Sequence, residues 1–467
     1  MSTEFIKNQG TLFGHPKALY LLFTTEMWER FSYYGMRALL VLAMVSATDA
    51  MNPGFGWSKS DALVLYGWYT GLVYMTPLIG GWLADNFIGQ RKSIIIGGLT
   101  MAVAQFTLAY SIPNNLSLFY VGLFLLIIGN GFFKPNISTM VGDLYEQGDD
   151  RRDGAFTIFY MGINLGAFIA PFITNTLGED PEWGWSYGFM FAGIGMLLSV
   201  LIQIFLAPKY LGEIGTQPSA KIALAKSGGV KKPLTPQEVD RLKVIFMLFI
   251  FVMLFWASFE QAGGLMNIYA AEKTDRMIGD FQVPAGWFQS LNPLYIILLA
   301  PIFSIMWTRL GARNPSTPKK MVLGLFLTAF GFLFMIAAVF DQEANGLASM
   351  HWLALAYLFH TMGELCISPV GLSMVTKLSP LRLASLMMGV WFLVNFFANL
   401  LAGIIGSFAD ELGEMAIFSG IAITDVIFAL LLWPMAGMLV RWMHGAEGHI
   451  SKEEILEEEL KTAADAS

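Results

Sequence analysis

What this chain can fold into is set by its division into apolar runs of about 20 residues or more, separated by short polar loops. A helix of that length crosses a hydrocarbon core of roughly 30 Å. Charged residues make up only 13% of the 467, about half the share usual in soluble domains. The chain therefore reads as an all-α, polytopic membrane protein. Many of the 47 glycines and 19 prolines fall inside the apolar runs, where spanning helices tolerate them.

Twelve helices are predicted, near residues 17–47, 61–84, 92–111, 115–143, 154–177, 186–207, 244–270, 285–309, 320–340, 350–377, 383–408 and 417–443. The polar, basic and proline-containing stretch 208–243 divides them six and six and reads as a cytoplasmic linker. The expected organisation is a first six-helix bundle over 1–207, a second over 244–443, and an acidic, solvated tail over 444–467.

Lysines and arginines orient the chain. With the N-terminus inside, the outer loops hold only Lys59, Lys273 and Arg276, while inner segments hold pairs such as Arg91/Lys92, Arg151/Arg152, Lys231/Lys232 and Lys319/Lys320. This bias predicts that both termini are cytoplasmic. Trp57, Trp183, Trp185, Trp287 and Trp352 cluster at the predicted outer ends, as interfacial anchors do. No secretory signal is expected, because residues 1–17 are polar and the next run lacks a small-residue cleavage site. The single cysteine, Cys366, excludes an internal disulfide and reads as a buried small side chain.

Against this background the stretch TEMWERFSYYGMRALL, residues 25–40, is anomalous. At 100° per residue, Glu26, Glu29, Arg30, Tyr33, Tyr34 and Arg37 fall within an arc of roughly 140°. Each charge facing lipid at the bilayer centre would cost at least about 2.5–3.5 kcal/mol, so the stripe must face a cavity or a partner. Two readings follow: a water-lined path that handles protons and a charged substrate, or an internally neutralised structural lock. Other spans carry isolated charges. GFFKPN places Lys134 beside Pro135, FWASFEQAGG places Glu260 ahead of two glycines, and FHTMGELCISP stacks His360, Glu364 and Ser368 on one helical face. Four deep carboxylates (Glu26, Glu29, Glu260, Glu364) thus stand against three cations (Arg30, Arg37, Lys134). One carboxylate lacks a full-time partner and is suited to take up a proton. The count leaves open which one.

Two weaker signals point the same way. The segments GNGFFKPNISTMV (129–141) and GELCISPVGLSMV (363–375) share Gly, Pro, Met and Val at matching offsets in the fourth helix of each half. Internal repeats with a midplane site between them are a transporter signature. GGWLADNFIGQRK (80–92), with Asp85, Gly89 and Arg91, resembles the loop motif of the major facilitator superfamily.

Together, EMWERFSYYG, GNGFFKPNIS, FYMGINLGA, FWASFEQAGG and GELCISPVG resemble the proton-coupled oligopeptide transporter family of that superfamily, over residues 14 to 400 or so. The resemblance implies the major facilitator fold and proton-driven import of di- and tripeptides, and of peptide-like drugs, by alternating access. Protons are then the coupling ion, and no other cofactor is implied. Position by position, Glu26, Glu29 and Arg30 match the ExxER motif linked to proton coupling. Lys134, with Arg30, matches the group placed near the peptide carboxylate. Glu364 matches the glutamate that meets the peptide amino terminus, helped by Asn164 and Asn292. Arg37 and Glu260 match a pair that bridges the bundles on the outer side and includes a protonation site. Tyr33, Tyr34, Tyr74, Tyr160, Trp256 and Trp391 fall where the family lines its side-chain pockets. Arg37 and Ser368 join the peptide-binding set, and Arg37/Glu260 and Lys134/Glu364 are the expected gating pairs.

Departures from the family pattern refine the expectation. The linker is too short and polar for the two extra helices of many bacterial members. The second-helix histidine of animal members falls at about Gly67, and the loop near 341–349 is too short for their large outer domain. A bacterial inner membrane is therefore expected. The rivals are a carrier of the same fold for drugs, sugars or nitrate, and a membrane-embedded enzyme or sensor. No metal-ligand set, nucleophile motif or phosphate loop supports the latter. Neither a nucleic acid nor an obligate protein partner is inferred.

Overall fold

A computed structural model describes residues 10–446 apart from 147, 148, 150, 219–233, 381 and 382. The tail beyond 446 and the middle of the expected linker, 219–233, lie outside the described residues. Twelve helices of 20 residues or more are described: α1 Lys17–Val45, α2 Lys59–Leu83, α3 Gln90–Ser111, α4 Leu116–Asp143, α5 Arg151–Gly178, α6 Trp185–Leu211, α7 Pro236–Phe259, α8 Leu291–Leu310, α9 Thr317–Asn345, α10 Met350–Leu378, α11 Ala384–Ser407 and α12 Glu414–Trp442. Ten of them are long and apolar enough to cross a membrane. The other two, α1 and α10, carry the ionisable stripe and the His360–Glu364 stack.

The two ends of the expected linker are helical instead. α6 runs on to Leu211, and α7 starts at Pro236, two turns before the apolar run begins. A capping box sets that start. The Thr235 hydroxyl accepts from the Glu238 N–H at 3.2 Å, and the Glu238 carboxylate accepts from the Thr235 N–H at 2.8 Å. Pro236 suits the first helical position, where its missing N–H is not needed. α7 breaks at a 3₁₀ turn, Glu260–Ala262, and resumes as Leu265–Glu272. Among the described residues, strands are confined to two-residue pairs. One joins Thr274–Asp275 to Ala348–Ser349 and ties the α7–α8 loop to the α9–α10 loop.

The first six helices pack on one another, as do the last six, and α2 crosses to α11 and α5 to α8. "Outer" here denotes the face carrying residues 46–58, which the lysine and arginine pattern places outside. The apolar core is unevenly divided. One continuous cluster runs through the first six helices and into the outer half of the others, taking in Leu265, Phe288, Phe332 and Phe418. The inner half of the last six has a separate core built on Phe249, Phe255, Leu325, Val375 and Leu439. The halves therefore share their apolar core at the outer face, while nearer the inner face Leu78 of α2 still packs against Gly389 of α11. On the inner side, Arg91 donates to the Gly212 carbonyl at 2.6 Å, which ties the α2–α3 turn to the end of α6. Cys366 is buried, as the sequence reading expects.

Between spanning helices, lipid removes the hydrophobic drive for association, so close packing of small residues matters more. At Gly67 a Cβ would lie 2.9 Å from the Asn399 carbonyl oxygen and 2.9 Å from the Gly403 Cα of α11. Gly67 thus lies at a helix crossing with no room for a side chain. Gly67→Ala should therefore cost about 1–3 kcal/mol by overpacking. The measurement is the unfolding temperature in detergent, which should fall by several degrees while a substitution at exposed Val103 leaves it unchanged.

Candidate functional site

The polar stripe of α1 is split three ways by geometry. Glu26, Arg30 and Tyr34 are spaced i, i+4, i+8 and face a cavity between the two groups of helices. Glu29 and Tyr33 are turned roughly 60–100° from Arg30 and face a second, smaller cavity inside the first group. Arg37 lies seven residues, or about 10 Å, further along the axis and reaches the outer face.

The central cavity has a volume of about 280 Å³ over the centres of the water molecules it can hold. α1 contributes Glu26, Arg30 and Tyr34; α2, Tyr74; α4, Lys134 and Ser138; α5, Tyr160 and Asn164. From the other side come Trp256 of α7, Asn292 of α8, Glu364 and Ser368 of α10, and Trp391 and Asn395 of α11. Both wall cations, Arg30 and Lys134, thus stand on the first six helices, and Glu364 faces them from the last six.

Within these walls each charge has a local partner, yet some bonding capacity is left over. Arg30 Nε lies 3.0 Å from Glu26 Oε1 and 2.5 Å from Glu29 Oε2. Lys134 Nζ sits 4.1 Å from the centroid of the Tyr74 ring, a cation–π contact. Glu364 Oε2 accepts from Asn292 Nδ2 at 2.8 Å, and that amide also donates to Thr361 at 3.0 Å. Glu26 Oε2, Arg30 Nη2 and Trp256 Nε1 have no hydrogen-bond partner among the described residues. No ion pair joins Lys134 to Glu364 among the described residues.

The outer face is sealed by bonds between the two groups of helices. Arg37 pairs with Glu260 and donates from Nε to the Tyr66 hydroxyl at 2.5 Å. Asn267 donates to the Ala38 carbonyl at 2.9 Å. Glu179, at the end of α5, accepts from the N–H groups of Ala285 at 2.6 Å and Gly286 at 2.8 Å. Burial raises the Glu179 carboxyl above the usual range, against the pull of these N–H bonds and of Arg276. Gly263, just past the α7 break, packs against the ion pair. A Cβ there would fall 2.0 Å from the Tyr66 hydroxyl and 2.6 Å from Arg37 Nη2.

These placements correct the sequence reading in particulars. Arg37 and Tyr33 do not line the central cavity: Arg37 is too far along α1, and Tyr33 is rotated into the first group with Glu29. The tally of deep carboxylates omitted Asp425 of α12, which is fully buried and accepts from Ser258 at 2.9 Å. Ser138 and Asn395 were also missed, although each stands four residues after a predicted site residue (Lys134, Trp391) and so on the same face. No local pattern marks Glu179, because its partners come from the other half. His360 packs on the Phe332 ring at 4.5 Å and does not line the cavity.

A two-signed cavity between packed groups of apolar helices, closed at one face, defines a multi-pass membrane transporter. The comparisons agree. The sequence profile of the POT family matches residues 91–213 and 209–419. The peptide transporter YePEPT of Yersinia enterocolitica is 36% identical over 502 residues, covering 94% of this chain and 97% of its own. A di-/tripeptide transporter of Lactococcus lactis subsp. cremoris is 35% identical over 481 residues, covering 91% of this chain and 96% of its own. A crystal structure of a peptide transporter POT in complex with sulfate has a TM-score of 0.86 at 35% identity, covering 95% of this chain and 99% of that one. The chain belongs to the POT family and is a transporter, not an enzyme.

Removing Arg37 tests the seal. Arg37→Ala leaves Glu260 buried without its cation, at a cost of about 3–5 kcal/mol to the outer-closed arrangement. Spin labels at Asn114 and Asp280, on outer loops of opposite halves, should report longer distances in the variant than in the parent protein.

Proposed function

We propose that the protein is a proton-coupled symporter that imports di- and tripeptides by alternating access of two six-helix bundles. The observation that carries the reading is the charge arrangement of the central cavity. A peptide zwitterion needs a cation and an anion held apart by its own backbone, and Lys134 with Arg30 faces Glu364 across the gap between the bundles. The free Arg30 Nη2 suits a peptide carboxylate. Glu364, oriented by Asn292, suits the peptide ammonium group, with Asn164 beside it. The tyrosines and tryptophans on the remaining walls suit varied side chains, and the same chemistry extends to peptide-like drugs. The peptide-transporter relatives support this substrate class.

Alternating access follows from the distribution of bonds. The Arg37–Glu260 pair and the Glu179 contacts hold the outer side. Lys134 and Glu364 are free to pair once the peptide leaves, which would draw the inner ends together. Protonation of a carboxylate at Glu26, Glu29 or Glu260 releases Arg30 or Arg37 from a partner and so links proton uptake to the bonds that hold each state. No cofactor other than the coupling proton is needed. A proton moving through 100 mV supplies about 2.3 kcal/mol and one pH unit about 1.4 kcal/mol more. That is enough to concentrate a neutral zwitterion several-hundredfold. We further propose twelve spans with both termini in the cytoplasm of a bacterial cell, consistent with the lysine and arginine pattern and the bacterial relatives.

Liposomes containing the purified protein should accumulate labelled dialanine only under an inward proton gradient, with competition by other di- and tripeptides but not by free alanine. Lys134→Ala and Glu364→Gln should each raise the half-saturating concentration by about tenfold or more, the scale of a lost charged hydrogen bond. Intact peptide uptake in both variants would assign the cavity to a different solute.

A further inference from the structure

The smaller cavity lies between α1, α2, α3, α4 and α6 and shares no lining residue with the central one. It leaves about 10 Å³ for the centre of a water molecule, close to the space one ordered water requires. Its chemistry is out of keeping with a dry void. Glu29, Tyr69, Gln105 and Asn130 line it, and all are at most 2% exposed. Among the described residues, Glu29 Oε1, Tyr69 Oη, Gln105 Oε1 and both side-chain polar atoms of Asn130 have no hydrogen-bond partner. Five orphaned polar atoms thus belong to residues that surround one water-sized space, whereas truly empty cavities are apolar. Four of the five match in kind the bonds one water can make. The Tyr69 hydroxyl and the Asn130 amide can donate to it, and the Glu29 and Gln105 oxygens can accept its two protons.

We propose that this cavity is a water-binding site, and that the bound water, held by Tyr69, Gln105 and Asn130, positions Glu29 for the proton-coupled step. Arg30 Nε holds Glu29 through Oε2, and the water holds it through Oε1. Glu26, on the other side of the same guanidinium, faces the central cavity. The two carboxylates of the ExxER motif are then distinguished by surroundings: one meets substrate and bulk water, the other meets a fixed water in the interior of the bundle. The charged and titratable groups around Glu29 are Arg30, Glu26 and Tyr33 on α1, Tyr69 on α2 and Lys134 on α4. The lining residues of α3 and α6 are uncharged. The internal repeat sharpens the point, because Asn130 occupies the position that Glu364 holds in the second half.

The water itself does not depend on the proposed transport activity; its role does. An experimental structure that resolves waters should show a density peak within hydrogen-bond distance of Glu29, Gln105 and Asn130. Ordered side chains around an empty space would overturn the site. A protein whose stability follows Na⁺ at constant ionic strength would replace the water by a cation and overturn it equally. For the role, Asn130→Leu and Tyr69→Phe are compared in gradient-driven uptake and in peptide counterflow, which needs no proton gradient. Driven uptake should fall about threefold or more relative to counterflow, with a displaced pH profile. An unchanged ratio and pH profile in both variants would overturn the role. Should Asn130→Leu fail to fold, Tyr69→Phe decides alone, since it removes one oxygen and no volume elsewhere. If the parent protein shows no gradient-driven uptake, the proton-coupling reading fails, and the density map alone judges the water.

Discussion

Arg30 is buried in an apolar slab with both of its carboxylate partners one turn or less away on the same helix, and much of the structure is arranged around that fact. A charge in such surroundings is tolerated only when it is matched and hydrogen-bonded. The Glu26–Arg30–Glu29 cluster carries a net negative charge when fully ionised. Lys134 on α4 stands on the same wall of the cavity and offsets it, with its ammonium group against the Tyr74 ring. Removing one member exposes the others, so the cluster can respond to a proton in a way an isolated pair cannot.

The division of the apolar core shows what such a response could move. The first six helices share one continuous core with the outer half of the last six, whereas the inner half of the last six is packed separately. Arg37, Glu260 and Glu179 lie along the shared part. Because the packing there is dense, opening the outer face requires breaking discrete bonds, and the ionisable ones are the natural points of control.

The two halves are related in sequence and opposed in chemistry. Lys134 and Ser368 occupy matching positions of the repeat, as do Asn130 and Glu364, and each helix carries its proline at the next position, Pro135 or Pro369. The same kinked scaffold therefore presents a cation on one wall and a carboxylate on the other. Asn130 faces the interior of its bundle and Glu364 faces the central cavity, so the pseudo-symmetry holds for the backbone and not for the surroundings of the side chains.

The series of long apolar helices, their approximate bounds and the ionisable stripe were legible in the sequence, because membrane-spanning segments are recognised by composition and length alone. Most of the residues on the cavity walls were named through the family resemblance, and same-face spacing marked only the α1 stripe, the Tyr160–Asn164 pair and the Glu364–Ser368 stack. The missed items share a cause. Asp425, Glu179 and the Gln105–Asn130–Tyr69 set acquire meaning only from atoms on other helices, and spacing within one helix carries no trace of them. The placing of Arg37 at the seal, and of Glu29 and Tyr33 behind the cavity, depended on axial rise and on which neighbour each face of α1 meets. The sequence determined that charges must lie inside the apolar slab. Only the tertiary structure decided which of them face one another, because pairing across helices depends on how those helices cross.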